Sequence, residues 1–224
     1  EGYMKIKFIA FDIDGVIFDS SFFIEEAYSE AIDLFCNKYA SLSLKKPSRD
    51  EIIFVIGKTY KEIISYLFPY LPANYHEHFR SILLDILDTK IREKKGTLLP
   101  GTEEVISSLY IQGYFLGTAS NGSQAYAEAV LQTYNLDKYF KEMKFVDFTY
   151  FNSKQDILSY YLKTYNLKNS ELLMVGDRKV DLDAAKANNT YFCGIVGHGN
   201  QEEIIDSDFI IPSLYSLDTI LNTI

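Results

Sequence analysis

Two aspartates stand two residues apart at the end of an apolar run near the start of the chain. Residues 6–11 are apolar except for Lys7, and Asp12 follows them, with Asp14 and Gly15 close behind. A run of this kind is typical of a parallel strand that is buried on both faces. Ligands of open α/β sheets bind outside the carboxyl ends of the strands. Both carboxylates are therefore predicted to face a binding site, although a simple turn with a capping aspartate has the same residues.

A second pair of aspartates follows another apolar run. Residues 172–175 are followed by Gly176 and Asp177, and Asp181 comes four residues after Asp177. Carboxylate oxygens with no Cys or His nearby suit Mg²⁺ rather than zinc. Acidic side chains gathered at strand ends repel one another, and a bound cation relieves that repulsion. The alternative is again a strand-end turn with a capping aspartate.

Two further segments carry groups that suit a phosphate. The predicted strand 114–118 ends at Thr118, and Ser120 and Asn121 follow before a helix. Hydroxyl groups and free backbone N–H groups at a helix N-terminus form an anion site, although the same residues are common in caps and turns. Lys154 opens a later helix, where a cation is unfavourable with the helix dipole and needs another partner. A phosphate would serve, whereas a surface lysine is the alternative.

The segments that must position these residues alternate between helix and strand after Gly96. Helices are predicted over residues 102–111, 123–134, 154–165 and 182–188, and strands over residues 114–118, 144–146, 172–175, 191–195 and 209–211. Such alternation indicates βαβ units, and hence a parallel sheet with helices on both faces.

Residues 21–95 differ from the rest of the chain because their apolar residues follow helical spacing. Ser48, which precedes Arg49, Asp50 and Glu51, reads as a helix N-terminus. Residues 19–95 hold 11 Lys and Arg against 12 Asp and Glu, so most of the net charge of −9 lies outside them. The sequence thus predicts an all-helical insertion between the first strand and an acidic α/β core.

Composition excludes several classes of protein. The chain has 224 residues, 47% of them hydrophobic and 24% charged, as in an ordinary globular protein. The net charge of −9 argues against nucleic acid as a partner. No apolar run reaches about 18 residues, and no leader precedes Met4. We therefore expect neither a membrane span nor a membrane partner, and we expect a cytoplasmic location. Cys36 and Cys193 are too few for a disulfide framework.

Together the four segments resemble the haloacid dehalogenase-like phosphohydrolase superfamily. Its motifs are a strand ending in Asp-x-Asp-Gly, a strand ending in Thr or Ser, a Lys that opens a later helix, and a strand ending in Gly-Asp-x-x-x-Asp. The resemblance covers essentially the whole chain, because the helical insertion looks like the superfamily's cap. It implies a Rossmann-like α/β core over residues 1–18 and 96–224 with an all-helical cap over residues 19–95.

Within that superfamily the chain looks most like the phosphoglycolate-phosphatase-like subgroup. There the hydroxyl residue of the second motif is followed at once by Asn, and a Leu-x-Lys-Tyr-Phe-like segment closes the next helix. Ser120 with Asn121 and the segment 136–140 fit this pattern. Ser120 is accordingly favoured over Thr118 as the phosphate-binding hydroxyl. His198 is predicted to lie in a loop near the site.

The resemblance implies a phosphoric monoester hydrolase that acts through an aspartyl-phosphate. Asp12 would be the nucleophile, and Asp14 would protonate the leaving oxygen and then take a proton from water. The phosphoryl oxygens would be held by Ser120, the backbone N–H of Asn121, and Lys154.

The resemblance also implies Mg²⁺ as the cofactor. The metal would be held by Asp12, the backbone carbonyl of Asp14, Asp177, and Asp181, the last either directly or through water. The expected partner is a small phosphorylated metabolite, and the expected assembly is a monomer or a homodimer.

The cap would choose the substrate through the loop that holds Lys58 and Tyr60, which in similar proteins reaches over the site. Sugar phosphomutases such as β-phosphoglucomutase have an Arg three residues after the Gly that corresponds to Gly57, where this chain has Tyr60. A phosphomutase is therefore the less favoured alternative. A noncatalytic binding module on the same fold is a third, but it predicts the loss of an acidic residue, and all four are present.

Overall fold

The computed structural model describes residues 6–197 and 201–223. Six strands of the described residues form one sheet: β1 (Phe8–Phe11), β4 (Phe115–Ser120), β5 (Glu142–Phe145), β6 (Leu172–Gly176), β7 (Tyr191–Ile195) and β8 (Phe209–Ile211). Their order in the sheet is β5-β4-β1-β6-β7-β8, and every neighbouring pair is parallel. The predicted parallel α/β sheet is thus confirmed.

Helices cover both faces of the sheet, as the alternation of helix and strand segments along the sequence predicts. The helices after the insertion are α5 (Thr102–Ile111), α6 (Gln124–Thr133), α7 (Lys154–Thr164), α8 (Lys179–Asn188) and α9 (Leu217–Leu221). Because side chains alternate along β1, Ile9 and Phe11 join one hydrophobic cluster and Phe8 and Ala10 join the other. Both faces of the central strand are therefore buried, which explains its continuous apolar run.

The insertion between the first strand and the remainder is helical, as its spacing predicts. Its helices are α1 (Ile24–Lys38), α2 (Arg49–Val55), α3 (Tyr60–Leu67) and α4 (His76–Arg92). Ser48 caps α2 in a capping box with Glu51, because its side chain accepts the N–H of Glu51. The chain enters and leaves the insertion through two short strands, β2 (Phe18–Asp19) and β3 (Thr97–Leu98), which pair antiparallel. This pairing was not predicted, because two-residue strands have no periodicity.

Two element boundaries differ from the predicted ones in a way that affects the site. Strand β4 continues to Ser120, two residues beyond the predicted end, so Ser120 is its last residue. Helix α8 begins at Lys179 rather than at residue 182, and Asp181 lies in its first turn. The carboxylate of Asp181 accepts the backbone N–H of Arg178 at 3.1 Å, which supports the earlier start. None of the described helices is long and apolar enough to cross a membrane.

Candidate active site

The acidic residues meet at the carboxyl edge of the sheet because their strands are neighbours in register. Phe11 of β1 pairs with Val175 of β6, and the N–H of Asp12 donates to the carbonyl of Val175 at 3.0 Å. Asp12 and Asp177 therefore follow adjacent strand ends, and α8 brings Asp181 to the same point. All three residues are buried, and each offers a carboxylate oxygen within 4.8 Å of the others.

This group of three suits a hard divalent cation. Oxygen ligands without Cys or His are the donors that Mg²⁺ prefers. The backbone at Gly15 and Gly197 packs directly on Asp177, where a Cβ at either glycine would collide with its carboxylate. The predicted carboxylate ligands Asp12, Asp177 and Asp181 are thus together. The predicted ligand atom of Asp14 is its backbone carbonyl, and its side chain bonds to Tyr126 and Ser20 instead.

Lys154 is the first residue of α7 and is fully buried, although a lysine is among the residues least often buried. Its Nζ lies 2.8 Å from Oδ2 of Asp12 and 2.6 Å from Oδ1 of Asp181. The partner that a cation needs at a helix N-terminus is therefore this pair of carboxylates. Burial raises the pKa of Asp12 and of Asp181 to about 6, even though the ammonium of Lys154 acts to lower both.

Asp14 points toward two hydroxyl groups rather than toward the acidic group. Gly15, with φ of 79°, turns the chain after it. Oδ1 of Asp14 accepts hydrogen bonds from the hydroxyl of Tyr126 at 2.6 Å and from that of Ser20 at 3.3 Å. Burial raises the pKa of Asp14 to about 6, and the two hydrogen bonds act in the opposite direction. The carboxyl group is thus suited to both giving and taking a proton near neutral pH.

The segment after β4 places one hydroxyl at the site and uses the other in the sheet. Thr118 is fully buried, and its Oγ1 donates to the carbonyl of Lys144 at 3.0 Å and accepts the N–H of Lys144 at 2.9 Å. Ser120 lines the cavity above the acidic residues, and its Oγ accepts the N–H of Gly122 at 3.0 Å. The structure therefore brings Ser120, and not Thr118, to the cavity.

The cavity lies between the sheet edge and the helical insertion. Lys58 and Tyr60, the residues that the sequence singles out in the insertion, both line it. The hydroxyl of Tyr60 donates to the carbonyl of His76 at 2.6 Å, so it joins α3 to α4. Lys58 lies over the ring of Phe54, with 4.9 Å between Nζ and the ring centroid. Both side chains thus have partners within the insertion.

Other cavity residues were not predicted. Lys61 lies over the ring of Phe148, with Nζ 4.0 Å from the centroid, and this contact joins the insertion to the loop after β5. Arg80 lies over the ring of Tyr60. Tyr126 was not predicted either, and it makes the shorter of the two hydrogen bonds to Asp14. No sequence signal marks these contacts, because each joins segments that are distant along the chain.

Besides the bond between Ser20 and Asp14, two further hydrogen bonds among the described residues hold the insertion against the sheet edge. The side-chain amide of Asn121 donates to the carbonyl of Gly57 at 2.9 Å. The guanidinium of Arg178 donates to the carbonyl of Ile53 at 3.2 Å. Asn121 thus contacts the insertion through its side chain in addition to the backbone role predicted for it. His198 lies outside the described residues.

The sequence matches a known protein family and is similar to several known proteins. The family model of the haloacid dehalogenase-like hydrolases matches residues 9–195. A phosphoglycolate phosphatase from Vibrio parahaemolyticus is 25% identical over 223 residues, which cover 95% of this chain and 94% of the relative. The pyrophosphatase PpaX from Listeria innocua is 25% identical over 193 residues, which cover 85% of this chain and 83% of the relative.

The fold is shared with solved structures. The crystal structure of a predicted phosphoglycolate phosphatase from Haemophilus somnus has a TM-score of 0.82 at 18% identity and covers 98% of this chain and 99% of that one. The predicted resemblance, the fold class and the assignment as an enzyme of the phosphatase class are confirmed. The chain belongs to the haloacid dehalogenase-like hydrolase family.

Proposed function

We propose that the chain is a Mg²⁺-dependent phosphatase that hydrolyses a small phosphomonoester through an aspartyl-phosphate, and that it is most like a phosphoglycolate phosphatase. One observation carries the proposal: Asp12 and Asp14 line one cavity with Ser120, while Lys154 is paired with Asp12 beneath it. Similarity to the Vibrio parahaemolyticus phosphoglycolate phosphatase supports the substrate class. Residues 19–95 act as a cap over the site in this proposal.

In the first half-reaction the carboxylate of Asp12 attacks phosphorus. The bond between phosphorus and the leaving oxygen breaks, and Asp14 gives that oxygen its proton, so the alcohol leaves neutral. Ser120, the backbone N–H of Asn121 and the ammonium of Lys154 hold the phosphoryl oxygens. Lys154 also keeps Asp12 in place, because its Nζ is fixed between Asp12 and Asp181.

In the second half-reaction water attacks the phosphorus of the aspartyl-phosphate. Asp14, now ionised, takes a proton from the water, and the bond between phosphorus and Asp12 breaks. A Mg²⁺ ion held by Asp12, the backbone carbonyl of Asp14, Asp177 and Asp181 would supply positive charge that offsets the charge of the phosphoryl group. Inorganic phosphate is the product, and Asp12 and Asp14 return to their starting protonation states.

The nucleophile is tested by the substitution Asp12→Asn. The amide keeps the shape of the side chain but loses nucleophilicity, so turnover should fall by more than about 10³-fold while the circular dichroism spectrum stays unchanged. Release of phosphate from phosphoglycolate, sugar phosphates, pyrophosphate and an aryl phosphate is measured with Mg²⁺ and again after chelation. Activity within tenfold of the wild type in Asp12→Asn, or activity that survives exhaustive chelation, would contradict the proposal.

A further inference from the structure

Asp14 is held by two hydroxyl groups from segments that are far apart along the chain. Tyr126 lies 112 residues after Asp14, and its hydroxyl makes the shorter bond, at 2.6 Å. Ser20 lies in the segment that leads into α1, and its bond is 3.3 Å long. Both donors approach the same atom, Oδ1. Oδ2 is therefore the oxygen that remains to exchange a proton with a substrate.

Tyr126 is itself fixed by the loop that follows β4. Its backbone N–H donates to Oγ of Ser123, the N-cap residue of α6, at 3.3 Å. Tyr126 is only 8% exposed, and a Cβ added at Gly122 would lie 3.3 Å from its ring, so the ring packs against the loop that follows β4. The same residue thus contacts the segment assigned to the phosphoryl oxygens and the carboxyl group of Asp14.

We infer that Tyr126 is a positioning residue, which holds Asp14 at the orientation that delivers a proton to the leaving oxygen. The inference rests on the proposed function, in which Asp14 is the general acid. A carboxyl group without this bond can rotate about its side-chain torsions, and proton transfer loses efficiency when donor and acceptor are misplaced by as little as about 1 Å. Ser20 alone, at 3.3 Å, leaves the orientation weakly defined.

The dependence of the reaction rate on the leaving group distinguishes a positioning role of Tyr126 from a merely structural one. An alkyl phosphate releases an alcohol, and its oxygen must receive a proton as the bond to phosphorus breaks. 4-Nitrophenyl phosphate releases a stable phenolate, which leaves without a proton. Both substrates form the same aspartyl-phosphate, whose hydrolysis also needs Asp14 as a base, so the comparison uses kcat/KM, which reports only the steps up to formation of that intermediate. A fault in the orientation of Asp14 should therefore lower kcat/KM for the alkyl phosphate much more than for the aryl phosphate, whereas a general loss of structure lowers both.

The experiment compares Tyr126→Phe with Tyr134→Phe. Tyr134 follows the last residue of the same helix, and its hydroxyl also makes one hydrogen bond, to the carbonyl of Gly96 at 2.7 Å, away from the cavity. For the alkyl phosphate that the enzyme hydrolyses fastest, Tyr126→Phe should lower kcat/KM about tenfold or more. Its kcat/KM for 4-nitrophenyl phosphate should stay within about threefold, and Tyr134→Phe should leave kcat/KM for both substrates near the wild-type values.

Equal losses of kcat/KM on the two substrates, or no loss on either, overturn the inference, because neither result reflects the placement of the general acid. Asp12→Asn is measured alongside. An inactive Asp12→Asn together with an unaffected Tyr126→Phe rejects the role of Tyr126 alone. An active Asp12→Asn rejects the proposed function and the inference with it. A large loss in Tyr126→Phe that is confined to alkyl phosphates supports both.

Discussion

The most unusual feature at the scale of single residues is the buried group of charges at the sheet edge. Asp12, Asp177 and Asp181 lie together, and Lys154 is the cation paired with two of them. A buried ion pair contributes little net stability, but removal of one partner leaves an uncompensated charge, which is costly. Each member of the group is therefore expected to be sensitive to substitution.

Lys154→Met tests how strongly the carboxylates depend on the ammonium. We expect the free energy of unfolding to fall by about 3 kcal/mol or more in metal-free protein at pH 7, because two buried carboxylates lose their partner. The loss should shrink at pH 5, since protonation then relieves the repulsion. Activity should fall for every substrate alike. Urea denaturation at the two pH values and a substrate panel measure these effects.

Lys90→Met is the matched control. Lys90 is also buried, but its partners Glu26 and Glu30 are exposed to water, so its pairs should contribute less than about 1 kcal/mol. Equal losses of stability in the two variants would show that the ion pairs of Lys154 contribute no more to stability than a surface pair does.

At the scale of elements, the sequence predicts the helices, the strands and the residues at the strand ends, but not the side-chain contacts between distant segments. The strand ends bring Asp12, Asp14 and Asp177 to one edge, and this follows from apolar runs and from the rule for parallel sheets. The bond between Tyr126 and Asp14 could not be predicted, because Tyr126 has the same helical pattern whether its hydroxyl reaches a carboxylate or water. Likewise, the position of Lys154 predicts the need for a partner but not that carboxylates provide it.

Capping boxes at two helices of the insertion allow α3 to be tested separately from its neighbour. Thr59 caps α3 by accepting the N–H of Glu62, as Ser48 caps α2. Either substitution by Ala should cost about 1 kcal/mol of stability. Only Thr59→Ala should raise KM, by about threefold or more, because the first turn of α3 carries Tyr60 and Lys61 into the cavity. Thermal unfolding and steady-state kinetics of both variants provide the measurement.

Equal values of KM in Thr59→Ala and the wild type, at a matched loss of stability, would contradict a role of this turn in substrate binding. A rise in KM in Ser48→Ala of the same size would show that the effect comes from general loosening of the insertion.

At the scale of the whole molecule, the insertion packs against the core more closely than the sequence predicts. The neutral charge balance and helical spacing of residues 19–95 predict a separate unit, and its role as a cap stays a prediction. In the structure, α4 packs against α1 and also against α6 of the core. Phe79 of α4 belongs to the same hydrophobic cluster as Ile9 of β1. Amphipathic spacing shows which face of a helix is buried but not which neighbour covers it.

Metal binding, protonation and folding stability should be coupled, because all three involve the same buried carboxyl groups. The pKa of each of Asp12, Asp14 and Asp181 is about 6 in the folded protein, above the ordinary value of 3.8. Between about pH 4 and pH 6 the folded state therefore binds more protons than the unfolded state, and the contribution of these groups to stability falls as pH rises through this window. A divalent cation binds the ionised carboxylates, so its stabilising effect should grow over the same window.

We expect saturating Mg²⁺ to raise the Tm of the wild type by about 5–10 °C at pH 7, which corresponds to about 2.7 kcal/mol at a hundredfold excess over Kd. The rise should be much smaller at pH 5, where protons compete with the metal. Asp177→Asn should abolish it, while Asp183→Asn should retain it, because Asp183 lies on α8 but pairs with Lys179 at the surface. Differential scanning calorimetry with Mg²⁺ and with a chelator measures all three proteins. A rise in Tm that is equal at the two pH values, or one that survives Asp177→Asn, would place the cation elsewhere, since only binding at the buried carboxylates couples it to their protons.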